Sequence, residues 1–235
     1  VGVRKVAGGV FSQWINSRAK PGDTLQVMPP QGRFYVPLDA AARHHYLAVA
    51  GGSGITPILS IMRTVLQREP QSRFTLIYAN RAQKSTMFKE AIDDLKNAYM
   101  ARVSVHHVFS GEDTELPLNH GLLDRSKLGE FLQRLVPAAS IDHAFVCGPF
   151  QMNDEAETAL LAAGVPEDRV HIERFGVAPQ VGAAAGGGAG LDAVLHAAQP
   201  GDAEESRITI VRDGQRRELV FRKQQPSILD AAAAA

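Results

Sequence analysis

Two glycine-containing turns are the segments of this chain best suited to chemistry. Residues 46–49 form an apolar run before the first turn, and residues 144–146 form one before the second. A strand that leads into a glycine turn and then a helix presents backbone N–H groups to a phosphate. Two such turns predict one dinucleotide held at both ends. The first turn contains Gly51, Gly52, Ser53, Gly54, Ile55, Thr56 and Pro57, and the second contains Cys147, Gly148 and Pro149.

The first turn departs from the usual Gly-x-Gly-x-x-Gly pattern because Pro57 stands where the third glycine would be. Its glycines lack β-carbons where a phosphate must approach the backbone. A proline in the first helical turn sacrifices no needed N–H, and the N-terminal amides of the helix favour an anion. The alternative is a tight connection that binds nothing.

Basic residues at the end of the next apolar run indicate which dinucleotide would bind. Asn80 and Arg81 follow this run directly, and Lys84 lies close behind. An acidic residue here would accept a hydrogen bond from a ribose 2′-hydroxyl, whereas an arginine suits a 2′-phosphate. We therefore expect NADPH rather than NADH, with a solvated basic loop as the alternative.

Other candidate reactive residues give weaker signals. Cys147 is the only cysteine, and its role as a nucleophile or as a buried unreactive thiol stays open. The histidine pairs at 44–45 and 106–107 lack the spacing of metal ligands, so we expect no metal site.

Composition narrows the class of partner. The 25 acidic and 25 basic residues among 235 leave no net charge to neutralise a nucleic-acid backbone. No apolar stretch approaches the roughly 20 residues of a membrane span. One cysteine excludes an internal disulfide and fits a reducing compartment. We expect a cytoplasmic protein that binds neither nucleic acid nor membrane.

Three zones that differ in composition and in hydrophobic pattern position these residues. Residues 1–38 contain β-like pieces at 2–6, 24–28 and 32–36, as in the end of an antiparallel barrel. Residues 41–176 alternate strands with helical stripes, which predicts an α/β doubly wound parallel sheet. The predicted strands are 46–50, 74–79, 103–109 and 143–147.

The C-terminal zone has a different composition. Residues 177–206 are rich in glycine and alanine and predict a flexible linker. Two alternating segments, 207–211 and 217–221, flank Asp213-Gly214 and predict a β-hairpin. Ser227 then begins a predicted helix as its N-cap. We expect the start of a second small domain.

Six motifs in a fixed order resemble the ferredoxin–NADP reductase superfamily over residues 1–176. With the C-terminal hairpin, the chain resembles oxygenase reductases that carry a plant-type ferredoxin domain, and residues 27–34 with Asn80-Arg81 most resemble the reductases of phenylacetyl-CoA epoxidation. The motifs are Gly9-Val10-Phe11-Ser12, Pro21-Gly22-Asp23 with residues 30–34, residues 51–57, residues 78–81, Cys147-Gly148-Pro149 and Glu173-Arg174-Phe175.

The resemblance implies a domain order and a set of site residues. Residues 1–40 would end an FAD-binding β-barrel, 41–176 would form the NADP domain, and 207–235 would begin a β-grasp ferredoxin-like domain. Val10, Phe11 and Ser12 would hold the FAD pyrophosphate. Thr56 would face the flavin ring, and Cys147 would lie beside the reacting nicotinamide carbon. The remaining implied site residues are Met152 beside the nicotinamide, and Glu173 and Phe175 at the flavin.

The implied function is electron transfer from NADPH through FAD and a [2Fe–2S] centre to the oxygenase component of a multicomponent monooxygenase. The cysteine ligands of such a cluster are absent from these residues. Two alternatives stay open: a reductase of a separate ferredoxin or flavodoxin or of another multicomponent oxygenase, and a non-catalytic module that kept only the fold.

Overall fold

The computed structural model describes residues 1–29, 31–175, 205–212 and 215–222. It divides into two units, Val1–Gly176 and Val177–Ala235. Within the described residues, no helix combines the length and the apolar character needed to cross a bilayer.

A parallel sheet of five strands in the order β3-β2-β1-β4-β5 forms the centre of the first unit. This confirms the predicted doubly wound α/β fold and its four predicted strands, and it adds β5, which the sequence pattern did not predict. The strands are β1 His45–Gly51, β2 Arg73–Asn80, β3 Val103–Phe109, β4 His143–Gly148 and β5 Val170–Arg174. The helices are α1 Val10–Ser17, α2 Ile55–Arg68, α3 Lys89–Ala98, α4 Arg125–Arg134 and α5 Phe150–Ala162.

The central strand β1 is buried along its whole length because helices cover both faces of the sheet. Successive side chains of a strand point to opposite faces. Tyr46, Ala48 and Ala50 pack in a core with α2 and α3. Leu47 and Val49 pack in a second core with α4 and α5. This two-sided burial explains the continuous apolar run in the sequence.

The strands predicted at 2–6, 24–28 and 32–36 are wrong for this structure. Residues 1–29 and 31–44 contain no strand, and α1 is their one regular element. A strand is defined by a ladder of hydrogen bonds to a neighbouring strand, and no described residue forms such a ladder with these segments. The segment still packs on the sheet, since the Phe34 ring meets the Phe145 ring edge-on at 5.3 Å.

The described part of the second unit is a β-hairpin, which confirms the predicted strands. β6 Glu205–Arg212 pairs antiparallel with β7 Gln215–Arg222. The predicted Asp213-Gly214 turn, the helix at Ser227 and linker residues 177–204 lie outside the described residues.

The C-terminal end of α2 is anchored by a single guanidinium group. Arg102 donates to the carbonyl oxygens of Leu66, Glu69 and Ser72 at 2.8, 3.0 and 2.8 Å. The last carbonyls of a helix have no partner within the helix. Arg102 supplies those partners just before β3 begins, and so fixes the helix that starts at the first glycine turn.

Replacing Arg102 with Met should lower the free energy of unfolding by about 3 kcal/mol, because partly buried carbonyls lose a charged donor. Urea titration of the whole chain measures this change. Arg134→Met is the matched control, since Arg134 is 69% exposed and its pair with Glu130 spans 3.7 Å. Arg134→Met should lower the free energy of unfolding by less than about 0.5 kcal/mol. Equal small losses in both variants would contradict the anchoring role.

His45 is buried at the start of β1 and is held in a neutral form. Its Nδ1 lies 3.1 Å from Ser140 Oγ, and its Nε2 lies 2.9 Å from Thr75 Oγ1. Because Ser140 Oγ donates to the Pro137 carbonyl, we assign the ring proton to Nδ1. Burial, with the nearby Arg73 charge as a second cause, lowers the pKa of His45 from 6.5 to about 4.

The free energy of unfolding should therefore fall as the pH drops from 6.5 to 4. The unfolded chain binds a proton at His45 in that range while the folded chain resists it, a difference on the order of 3 kcal/mol. The His45 contribution is fully present above pH 6.5. Denaturation at several pH values should show a flatter slope for His45→Gln than for the exposed control His120→Gln. An unchanged slope in His45→Gln would refute this assignment.

Candidate nucleotide-binding site

The two predicted glycine turns meet at the carboxyl edge of the sheet between β1 and β4. The chain leaves β1 toward β2 on one side, and it returns from β3 to β4 on the other. At such a switch point the helices diverge and leave a crevice, where open α/β sheets bind their ligands. The fold thus brings together two turns that are almost a hundred residues apart.

The glycines are required by contact between the turns themselves. A β-carbon on Gly54 would overlap the backbone carbonyl of Cys147, and one on Gly51 would lie 2.6 Å from Cδ of Pro149. A β-carbon on Gly148 would reach the backbone of Gly51 at 3.0 Å. The absent side chains therefore allow the end of β1 to lie directly against the end of β4.

The first turn has a fixed conformation. Gly52 has φ of +53°, in the left-handed region that glycine tolerates, and opens a 3₁₀ turn over Gly52–Gly54. The Tyr78 hydroxyl donates to the Gly52 carbonyl at 2.8 Å, and Thr56 Oγ1 donates to the Ser53 carbonyl at 3.0 Å. Buried Ile55 begins α2, and Pro57 lies in its first turn.

A cavity of about 280 Å³ opens beside these turns. It lies at the ends of β1, β2 and β4, and the start of α5 closes one side. Nδ2 of Asn80 is buried and has no hydrogen-bond partner within the described chain. A buried donor without a partner is costly, so it marks a place for an acceptor. The predicted residues that line this cavity are Gly51, Gly52, Asn80, Arg81, Pro149 and Met152.

Two arginines line the cavity, together with two acidic residues, Asp124 and Glu155. Arg81 lines it and forms no ion pair with any described residue. Arg4 lines it as well, and a β-carbon on Gly52 would lie 2.7 Å from Nη1 of Arg4. Lys84 is exposed on the Gln83–Ser85 turn and does not line the cavity.

Cys147 is fully buried at the end of β4. Burial, followed by the charge of Glu173 in the register position beside it, raises the pKa of the Cys147 thiol to about 12. The group therefore stays protonated at neutral pH, and thiolate chemistry is closed to it. Of the two roles left open by the sequence, the geometry supports the unreactive thiol.

Glu173 and Phe175 lie at the end of β5, beside a different cavity of about 710 Å³ that Pro57 also lines. The Phe175 side chain is 50% exposed, which differs from a core aromatic. Asn153 of α5 donates to the Glu173 carbonyl at 3.2 Å and so fixes the strand end. The two residues are close to the glycine turns in the fold but outside the cavity between them.

Val10, Phe11 and Ser12 form the start of α1, and Val10 and Phe11 line a third cavity of about 640 Å³ that Ser12 does not line. Val10 is 89% exposed and Phe11 is 57% exposed. Ser12 Oγ accepts a hydrogen bond from the Val6 amide at 3.2 Å, and Gly9 is the N-cap of the helix. This group is separate from the nucleotide cavity.

The histidines do not assemble a metal centre. Among the described residues, no group of three or more His, Cys, Asp or Glu side chains could hold a metal ion. His106 and His107 lie within β3, and burial lowers the pKa of both. Both residues belong to β3, which agrees with the strand predicted at 103–109.

Comparison with known proteins decides the class of this site. Residues 48–158 match the family of oxidoreductase NAD-binding domains. Both glycine turns and the Asn80-Arg81 segment fall inside the matched residues, whereas Arg4 lies outside them.

Sequence relatives extend the similarity beyond the NAD-binding domain. The chain is 40% identical over 232 residues to a 1,2-phenylacetyl-CoA epoxidase subunit from Escherichia coli (strain K12), covering 99% of this chain and 62% of that protein. It is 37% identical over 175 residues to the ferredoxin reductase component of 3-ketosteroid-9-alpha-monooxygenase from Mycolicibacterium smegmatis, covering 74% and 45%. The chain thus spans less than two thirds of either relative. The resemblance predicted from the six motifs is confirmed.

A solved structure supports the fold. The flavohem-like FAD/NAD-binding domain of nitric oxide dioxygenase from Vibrio cholerae superposes with a TM-score of 0.62 at 22% identity, covering 74% of this chain and 70% of that one. The ferredoxin reductase-like arrangement is therefore shared at the level of the fold.

Three residues of the site were not predicted from the sequence. Arg4 lies far upstream in a segment that gave no sign of approaching the first turn. Tyr78 was predicted as part of a strand and of the motif 78–81, with no role for its hydroxyl, which holds the Gly52 carbonyl. Asn153 sits in a helix, and only the fold shows that it contacts Glu173. Each contact joins segments distant in sequence, for which no local pattern exists.

Gly54→Ala should disrupt the NAD-binding domain, because the new methyl group would overlap the Cys147 carbonyl. We expect a loss of about 3 kcal/mol in the free energy of unfolding, similar to other overpacked sites. Gly129→Ala is the matched control, since a β-carbon there meets nothing within 4 Å inside helix α4. It should stabilise the chain by about 0.5–1 kcal/mol. Thermal unfolding of both variants tests the contact, and a stable Gly54→Ala protein would disprove it.

Proposed function

We propose that this chain is the NADPH-binding part of a flavoprotein reductase that delivers electrons to the oxygenase component of a multicomponent monooxygenase. The observation that carries the proposal is the cavity at the switch point, where a glycine turn, two arginines and the second turn converge. The similarity to an epoxidase subunit over almost the whole chain supports phenylacetyl-CoA epoxidation as the oxygenase reaction.

The residues present fit a dinucleotide with a 2′-phosphate. The first turn would hold the pyrophosphate, because Gly51 and Gly52 line the cavity and α2 begins beside them. Arg81 at the end of β2 would bind the 2′-phosphate, and Arg4 adds a second positive charge beside Gly52. The buried Nδ2 of Asn80 would donate to the nucleotide. The nicotinamide would then extend toward the second turn, with Met152 at its side.

The residues assigned to FAD fall into two groups, and a flavin would lie between them. Val10, Phe11 and Ser12 would hold its pyrophosphate, while Thr56, Glu173 and Phe175 would border its ring. Half-exposed Phe175 beside the 710 Å³ cavity is an aromatic surface available for such a ring. When bound, a flavin supplies the ability to accept two electrons together and to release them singly.

The chain's own residues bind and orient the nucleotide. Tyr78 holds the Gly52 carbonyl, so the peptide groups of the first turn keep one orientation. Burial raises the pKa of Tyr78 to about 12, which keeps this hydroxyl a donor. The neutral Cys147 thiol adds no charge near the second turn. Pro149 and Met152 cover that turn with apolar surface and exclude water from it.

An iron–sulfur centre does not fit the residues of this chain. A [2Fe–2S] cluster of the plant type needs four cysteine thiolates, and the sequence has one cysteine, which is buried. Ligands for such a centre would have to come from outside these 235 residues, so we assign it no step here.

A second candidate is a reductase that serves another acceptor. The similarity to the ketosteroid monooxygenase reductase component covers 74% of the chain and favours a different oxygenase as the acceptor. A reductase that serves a separate ferredoxin or flavodoxin would bind NADPH at the same site. The acceptor therefore distinguishes these candidates, and the nucleotide site does not.

Anaerobic mixing of the purified flavin-loaded protein with NADPH tests the proposal. The flavin absorbance should bleach, and a separate aerobic mixture that also contains NADPH and the epoxidase oxygenase component should turn over phenylacetyl-CoA with O₂ as the oxidant. Bleaching without epoxidation would favour the second candidate. A protein that binds nucleotide but shows no bleaching would be a non-catalytic module and would refute both reductase assignments.

Arg81→Ala should weaken NADPH use far more than NADH use, because only NADPH carries the phosphate that Arg81 would bind. Loss of a charge-assisted contact predicts a fall in kcat/KM for NADPH of roughly 10-fold to 100-fold, with less than about threefold for NADH. Arg134→Ala on α4 is the control and should change neither value. Equal losses with both nucleotides would show that Arg81 does not recognise the 2′-phosphate.

A further inference from the structure

The loop after β3 lies directly against the segment expected to bind the 2′-phosphate. The Ser110 amide donates to the Asn80 carbonyl at 3.0 Å, and the Gly111 amide donates to the Arg81 carbonyl at 2.8 Å. A β-carbon on Gly111 would lie 2.9 Å from that carbonyl oxygen, so the two backbones are in close contact. The next residue, Glu112, is therefore held beside the Arg81 loop.

The Glu112 carboxylate is hydrogen-bonded to the backbone of the loop that carries Arg81. Its Oε2 accepts a hydrogen bond from the Gln83 amide at 2.7 Å. Gln83 begins the 3₁₀ turn Gln83–Ser85, and Ser85 lines the nucleotide cavity together with Arg81. The Glu112 carboxylate is therefore fixed one turn away from a residue that lines the cavity.

We propose that Glu112 is a specificity-determining residue that restrains the preference of this site for NADPH over NADH. The inference rests on the proposed function and deepens it. Arg81 attracts a 2′-phosphate, while the Glu112 carboxylate repels it. A ribose 2′-hydroxyl carries no charge, so the same carboxylate does not repel NADH.

The charge balance of the loop supports this assignment. Glu112 is partly buried, so its field is less screened than that of a fully exposed carboxylate. It forms no ion pair with Arg81, Lys84 or any other described residue, and its charge is therefore not cancelled by a bonded partner. Its hydrogen bond to Gln83 fixes the distance at which it acts on a bound ligand.

Glu112→Gln isolates the charge, because the amide oxygen of glutamine can still accept from the Gln83 amide. We measure the Kd values of NADP⁺ and NAD⁺ for the flavin-loaded protein by calorimetry. The ratio Kd(NAD⁺)/Kd(NADP⁺) should rise about tenfold in the variant, as expected for removal of one nearby like charge. A ratio that stays unchanged or falls overturns the inference.

Glu115→Gln is the matched control, since Glu115 is an exposed carboxylate on the same loop. The ratio Kd(NAD⁺)/Kd(NADP⁺) of the Glu115→Gln variant should stay within about twofold of the parent value, as expected for a screened surface charge. The difference between parent and Glu112→Gln should also shrink when salt is raised from about 0.05 to 0.5 M. A difference that does not depend on salt would indicate a change in loop structure and would overturn the electrostatic role.

The same titrations separate this inference from the function on which it rests. If the parent protein bound neither NADP⁺ nor NAD⁺, the proposed function would fail, and Glu112 would have no specificity to set. If the parent bound both and Glu112→Gln kept its ratio, the function would stand and the role of Glu112 alone would be rejected.

Discussion

The direct contact between two glycine turns is the constraint on which the rest of this structure depends. The end of β1 can lie against the end of β4 only where Gly51, Gly54 and Gly148 leave room for the opposing backbone. That contact sits where the sheet reverses its winding direction, so it fixes the crevice in which a nucleotide would bind. The glycines therefore serve packing and ligand access together.

Several distant groups keep this contact in place. Arg102 secures the far end of α2, whose first residues belong to the first turn. Tyr78 reaches from β2 to the Gly52 carbonyl. Asn153 joins α5 to the Glu173 carbonyl at the end of β5. Each interaction involves a buried or partly buried polar group that is satisfied by another element, so shifting one element would leave polar atoms without partners.

Charges of both signs lie around the crevice. Their balance says more about the preference between NADPH and NADH than the glycine motif does. Arg4 and Arg81 line the cavity together with Asp124 and Glu155, and the Glu112 carboxylate lies beside the loop that carries Arg81. A motif made only of glycines and one arginine predicts a simple preference for NADPH. The structure adds an anion whose position comes from a loop after β3, which the sequence gives no reason to connect with Arg81.

The sequence by itself determined the doubly wound sheet, the glycine turns and the C-terminal hairpin, because each depends on local periodicity, backbone freedom or turn chemistry. It failed over residues 2–36, where a strand needs a pairing partner that local pattern cannot supply. Only the tertiary structure decided that Cys147 is a buried neutral thiol, that Arg4 lines the cavity and that Glu112 faces Gln83. Burial and long-range contact set these properties, and both arise only when distant segments come together.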